Sequence, residues 1–329
     1  MVDLNFFNSL KGRFCFLSNL QTYINFQGLP CTESVLGAVI GYLGFYYTDK
    51  KVDSGEVILG RNGSFEDMFD RLQNQLAEQL QEDRLQAQDC LEYIDMQLKG
   101  NKPPLVWIND YYLSYSPYYN KAEYWSLIIV LDISESGITV YDNEVRQVDK
   151  QAFMRAINQE GRLRAYNPKH GSPIWKSSEA TAIISGLTKA AELFDGGPSD
   201  GDGLYGFKGM THFAEALAQC NSSSEIYNYS YQMNRASGPT VTREYMSILC
   251  IELMKSYSSL DLEKCAALYQ NLSEQWRKIG NLLFKLSTNL DKDLRVRLVE
   301  RIHKAIALEM QGVLLIKSDV IRQLELYAL

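Results

Sequence analysis

"PPLVWINDYYLSYSPYYNKAEYWSLIIVLDISESGITVYDN" (residues 103–143) decides the fold class. Within it, "PPLVWIND", "YWSLIIVLDI" and "GITVYDN" are short runs of β-branched and aromatic residues bounded by Pro, Asp and Gly. Runs of that kind read as buried strands. Between the first two lies Asp110–Trp125, with seven aromatic side chains in sixteen residues. Such a segment either packs as a loop between lobes or lines a substrate cleft, where ring walls with hydroxyl tips orient polar ligands.

Upstream the texture is helical. Residues 14–27 place Phe16, Leu17, Leu20, Ile24 and Tyr23 on one side, and Gly28 and Pro30 stop the helix. "TESVLGAVIGYLGFYY" reads as a short helix capped by Thr32 or Ser34 and interrupted by Gly37, Gly41 and Gly44. Those glycines do not form a GxGxxG phosphate loop; close backbone packing is the better use for them. Residues 65–99 read as an amphipathic helical region with Leu72, Gln75, Leu76, Leu80 and Leu85 setting its pattern. After residue 150 helices dominate, at 175–194, 208–220, 241–257, 260–289 and 292–328, with breaks at 195–206 and 234–240. Helices, then strands, then more helices predict an α+β fold: an N-terminal domain over 1–155 and a helical domain over 156–329.

Composition narrows the function. The 329 residues are 46 % hydrophobic and 22 % charged, as expected of a soluble chain of one large or two medium domains. Net charge is −7, which disfavours nucleic acid and anionic membranes as partners. The longest apolar run, Leu127–Leu131, is far short of the ~20 residues of a membrane helix. The N-terminus lacks the pattern of a signal peptide, and Cys15, Cys31, Cys90, Cys220, Cys250 and Cys265 form no CxxC pair. Reduced thiols in a cytoplasmic protein are the expectation. His170, His212 and His303 are too scattered for a zinc site, and no metal or cofactor is indicated.

Cys15 is then the candidate centre. A helix N-terminus favours a thiolate, and a nearby histidine oriented by a carboxylate or amide completes the usual nucleophile. Read from the residues alone, Cys15 is either that nucleophile or a small apolar residue closing a core.

"FCFLSNLQTYINFQGLPCTESVLGAVIGYLGFYY" resembles the opening of the butirosin biosynthesis protein H family, through Cys15, Gly28, Glu33, Gly37, Gly41 and Gly44–Tyr47. The likeness continues through residues 103–143 and, more loosely, into "GLYGFKGMTHFAEAL", "TREYMSILCIEL" and "YQNLSEQW". This resemblance implies a papain-like N-terminal domain followed by a helical domain. It also implies acyl transfer from a carrier-protein thioester to an amine in secondary metabolism, with the acyl group held on Cys15. The acyl donor would be the phosphopantetheine arm of an acyl or peptidyl carrier protein, and the acceptor a small-molecule amine. Asp142 fits the orienting residue. The family's histidine, sixteen residues earlier, falls on Ser126, and Phe14 replaces the histidine beside the cysteine. Serine is no general base at neutral pH. The alternative is therefore an inactive relative that binds a carrier protein, an intermediate, an active paralogue or a second copy of itself.

Supporting candidates are Tyr111, Tyr112, Tyr115, Tyr118 and Trp125 as substrate walls, and Asp110 and Glu123 as partners for a cationic amine. Asn8 and Ser9 are the local candidates for oxyanion donors, and His170 for a substitute base. Each also has a plainer use as a solvated, capping or packing residue.

Overall fold

The computed structural model describes residues 6–7, 15–49, 57–63, 65–77, 81–85, 87–121, 123–157, 161–165, 174–196 and 203–328; of 65–66, 81–85, 87–88 and 161–165 it describes the backbone alone. In chain order the first elements are α1 (Cys15–Phe26), α2 (Glu33–Val39), β1 (Leu43–Tyr47), β2 (Ile58–Arg61), α3 (Phe65–Gln75), β3 (Gln81–Leu85), α4 (Ala87–Lys99) and β4 (Leu105–Asn109). Next come β5 (Trp125–Ile133), β6 (Ile138–Tyr141), β7 (Val145–Val148), α5 (Lys150–Ile157), β8 (Gly161–Ala165), α6 (Glu179–Gly196) and β9 (Leu204–Tyr205). Five helices follow: α7 (Gly206–Gln219), α8 (Ser223–Asn234), α9 (Pro239–Ser256), α10 (Glu263–Asn289) and α11 (Lys292–Leu315). The architecture is mixed α/β with a helical C-terminal region.

These elements form two compact units that interleave along the chain. The strand unit is Met1–Glu33 with Leu76–Lys176, and the helical unit is Ser34–Gln75 with Ser177–Leu329. The division does not follow the expected boundary at 155, because residues 34–75 belong with the C-terminal helices. The reason lies in β1. It pairs with β2 on one side and β9 on the other, so the hairpin is held by a strand more than 150 residues later.

The strand unit is built on an antiparallel sheet of order β3-β8-β4-β5-β6-β7. Alternation gives it two apolar faces. One packs Val106, Ile108, Ile128, Val130, Ile138 and Val140 against α4 (Cys90, Ile94) and α5 (Phe153, Ala156, Ile157). The other carries Trp107, Leu127, Ile129 and Tyr141, and α1 lies on it: Phe16 meets Trp107 with ring centroids 6.3 Å apart, and Thr22 Oγ1 donates to Tyr141 Oη at 3.3 Å. α1 ends as the sequence predicts. Gly28 takes φ +78°, its N–H meets Asn25 O, and Leu29 N–H reaches back to Ile24 O, the paired bonds of a Schellman stop.

Two readings of the sequence change. Residues 43–47, read as the tail of an interrupted helix, are strand β1; a Cβ on Gly44 would run into the Asn62 side chain, so its glycine serves close packing. The helical stretch 65–99 is broken by strand β3, whose polar QEDRL sequence carries no apolar alternation. Helix α8 is an addition, its first turn capped by Ser222 Oγ accepting from Glu225 N at 3.2 Å.

Candidate functional site

Cys15 is the first residue of α1 and is partly exposed, whereas the other five cysteines are buried; none forms a disulfide. One turn on, Asn19 is fully buried and pins the helix. Its amide donates to Leu127 O at 2.6 Å and to Asp142 Oδ1 at 3.2 Å, and its carbonyl accepts from Asn143 N at 2.9 Å. Ser18 Oγ adds a bond to Asn143 Oδ1 at 2.9 Å. Residues four apart share a helix face with Cβ atoms ~5–6 Å apart. Cys15 therefore stands one turn from the residue that grips Asp142.

Asp142 owes its position to the hairpin between β6 and β7. Tyr141 and Val145 are paired, and Asn143 in the three-residue turn takes φ +58°, a left-handed conformation that asparagine tolerates. Burial pushes the Asp142 carboxyl above the usual carboxylate range, although Asn19, Tyr115 and Arg146 each pull it back. Tyr115 Oη is buried beside it with no partner of ordinary hydrogen-bond geometry. Burial and the charges of Asp142 and Asp110 raise that phenol too. The Arg146 guanidinium lies 4.4 Å from the Tyr115 ring centroid and pairs with Glu144.

Asp110 follows β4 directly. Asn109 Oδ1 accepts from Tyr111 N at 3.1 Å and starts a 3-10 turn over Asp110–Tyr112. Asp110 N–H is tied to Tyr124 O at 2.8 Å. Its carboxylate accepts from Ser126 Oγ at 2.6 Å and Ser116 Oγ at 3.2 Å. Burial raises its pKa to about 7; the two hydroxyls oppose that shift, while the Asp142 charge adds to it.

The structure thus brings Asp110, Ser126, Tyr115 and Asp142 together, and links them to α1 through Asn19. Ser126 does not face α1. It pairs with Ile108 and shares the face of Ile128 and Val130, the side covered by α4 and α5. The first β5 residue on the α1 side is Trp125, 37 % exposed. Neither residue is a base: an indole N–H only donates, and the Ser126 hydroxyl is committed to Asp110.

Among the proposed substrate walls, Tyr112 and Tyr115 pack against the α4/α5-side core. Tyr118 stacks on Tyr124 with centroids 4.4 Å apart, and Tyr111 lies edge-on to Tyr112. Tyr111 and Trp125 keep partial exposure. Asn8, Ser9, Phe14 and His170 lie outside the described residues. His212 and His303 sit on α7 and α11 of the helical unit. Among the described residues no group of His, Cys, Asp and Glu could hold a metal ion, and no helix is long and apolar enough to cross a membrane.

Sequence reasoning missed Asn19, Ser116 and Arg146. Asn19 left one signal, a polar residue inside an otherwise apolar helix stripe. Ser116 and Arg146 left none: Ser116 lies in an irregular loop, and the ring that Arg146 covers, Tyr115, is far away in the sequence.

No curated protein matches the chain. The family model described as butirosin biosynthesis protein H, N-terminal, matches residues 15–143, beginning at Cys15 and ending one residue past Asp142. Over this segment, less than half of its length, the chain is similar to that family.

Proposed function

We propose that this protein is an acyl-transferring relative of the butirosin biosynthesis protein H family, working in secondary-metabolite biosynthesis with Cys15 as the acyl acceptor. One observation carries the reading: the single partly exposed cysteine opens a helix whose next turn is bonded through Asn19 to Asp142. A cysteine-led helix lying on an antiparallel sheet that bears an acidic residue supports a papain-like ancestry for the strand unit. In the reaction, the Cys15 thiolate adds to the thioester carbonyl carbon of a carrier-bound acyl group. The bond to the carrier sulfur breaks, and the carrier leaves as a thiolate, which takes up the proton that Cys15 gave up. An amine then attacks the Cys15 thioester, a C–N bond forms, the acyl C–S bond to Cys15 breaks, and the proton lost by nitrogen ends on the Cys15 sulfur.

Thioester exchange suits a site without an imidazole, since a thiolate both attacks and departs. Losing a positioned proton-transfer group typically costs ~10²–10⁴-fold in rate. The test is intact-mass spectrometry with S-acetyl-N-acetylcysteamine as the acyl donor, followed by peptide mapping. An acetyl group on the peptide containing Cys15, absent in Cys15→Ala, is expected. Acetylation that persists in Cys15→Ala, or none at all at millimolar donor, overturns the reading.

A second reading has its own observation. Trp125 stands on the α1 side of β5 and Ser126 is held by Asp110, so neither of the first two residues of that strand supplies a proton acceptor. On this reading the protein binds a carrier protein, an intermediate or an active paralogue, and Cys15→Ala leaves product formation unchanged.

A further inference from the structure

In the helical unit, α8 and α10 enclose an open groove of about 690 Å³. Tyr227, Tyr231 and Phe284 line it and are 52 %, 48 % and 51 % exposed. Three rings left half in water at one place are a costly arrangement, and such patches mark binding sites. The rings are not scattered. Tyr227 and Tyr231 are one turn apart on α8, and the Tyr227 and Phe284 centroids lie 6.0 Å apart across the groove.

The floor beneath them is fixed. Ser230 Oγ donates to Gly280 O at 2.8 Å, and a Cβ at Gly280 would collide with the Asn234 side chain, so the two helices touch there. Asn234 is itself held by Thr240 Oγ1 at 3.1 Å. A groove with such a floor needs little reordering to receive a ligand.

Charge selects the ligand. The chain as a whole carries −7, yet the groove is lined by Arg235 and Lys285 and by no acidic residue. Arg235 immediately follows the C-terminus of α8, and Lys285 lies one turn beyond Asn281 on α10, also in the lining. A guanidinium offers a planar fork to a carboxylate or phosphate, and an ammonium adds a point charge. The volume falls in the ~300–1,000 Å³ range of small-molecule pockets.

We propose that this groove binds a small organic anion built on a flat aromatic ring, the ring held among Tyr227, Tyr231 and Phe284 and the anionic group by Arg235 and Lys285. The site is independent of Cys15 and does not rest on the acyl-transfer reading.

Three probes separate ring from charge: 2-naphthoate, the cationic 2-naphthylmethylammonium, and cyclohexanecarboxylate, which keeps the charge but lacks the flat ring. Each is titrated into the full chain while the Tyr227, Tyr231 and Phe284 ring resonances are followed by NMR. Saturable shifts with 2-naphthoate, and affinity at least ~10-fold weaker for the other two, are expected; tenfold corresponds to about 1.4 kcal/mol. Lys285→Glu and Tyr231→Ser, both at exposed positions, should each weaken 2-naphthoate by a similar factor while keeping the wild-type melting temperature. No ring shifts with 2-naphthoate up to its solubility limit would overturn the proposal. So would equal binding of the cationic probe, or unchanged affinity in both variants.

Discussion

Glu309 of the helical unit and Asp110 of the strand unit are both buried carboxylates, and their surroundings differ in one respect that decides what each can do. Glu309 is fully buried against an equally buried cation: Arg243 Nε donates to its Oε1 at 2.6 Å, and Trp276 Nε1 donates to the same oxygen at 2.6 Å. Arg243 also donates to Gly44 O at 2.6 Å and Gly60 O at 3.1 Å, tying α9 to the β1–β2 hairpin. Asp110 touches only hydroxyls, and the charge that bears on it is another carboxylate, Asp142. A buried acid facing a cation is structure. One raised by burial, with a second acid adding to the shift and no cation to oppose it, is free to change protonation state near neutral pH.

The largest effect that tests this contrast is expected at Glu309. Glu309→Leu leaves the Arg243 guanidinium buried without its counter-charge, and removing one partner of such a pair typically costs ~3–5 kcal/mol. Urea unfolding should show that loss, while the rate at which iodoacetamide alkylates Cys15 in the native protein stays at the wild-type value. A loss below ~1 kcal/mol would mean that Arg243 is compensated elsewhere, and the contrast would fail on the helical side.

Asp110→Asn should move stability the other way, and only as pH rises. The folded protein holds the Asp110 proton to about 7, against 3.8 for the ordinary carboxyl. Between those values the folded state binds a proton that the unfolded state releases, so wild-type stability falls with rising pH across that window. The cost is absent below pH 3.8 and complete above pH 7, where it amounts to at most ~4 kcal/mol. The asparagine variant has no charge to bury. Its advantage over wild type should grow from pH 4.5 to pH 8 in urea titrations. A pH-independent difference would show that Asp110 does not titrate in this range.

The strand trio was legible because runs of β-branched and aromatic residues bounded by Pro, Asp and Gly are a local signal: β4, β5 and β6 carry it in their own residues. The stop of α1 at Gly28 was legible for the same reason. β1 was not, since Gly44 looks like a helix breaker until Asn62 is seen pressed against it, and its second partner strand lies beyond residue 200. β3 is too polar to read without its partner β8. At the site, Cys15 and Asp110 stood out by residue type, while Asp142 was singled out only through the family resemblance. Which face Ser126 takes depends on its pairing with Ile108, and the proximity of Asp110 to Asp142 depends on how a 3-10 turn and a distant hairpin end together. Those are long-range facts, and local pattern does not encode them.

Arg146 allows the finest version of the comparison, because it is the strand unit's counterpart of Arg243. Its guanidinium lies over the Tyr115 ring and pairs with Glu144, but its side chain is 33 % exposed, where that of Arg243 is wholly buried. Water screens the ion pair, so that bond adds little, and the cation–ring contact is worth ~0.5–1 kcal/mol at such a site. Arg146→Gln should therefore lower stability by no more than about 1 kcal/mol. Its second effect is electrostatic. Arg146 is one of three groups pulling the Asp142 carboxyl down against burial, alongside the Asn19 amide and the Tyr115 hydroxyl, while Glu144 pushes it up. Removing the cation must raise the Asp142 midpoint further, and carbon-13 titration of the carboxyl carbon would read the direction. If Arg146→Gln instead cost as much as Glu309→Leu, the strand unit would hold its acids by a buried counter-ion after all. Asp142 and Asp110 would then be structural acids of the same kind as Glu309.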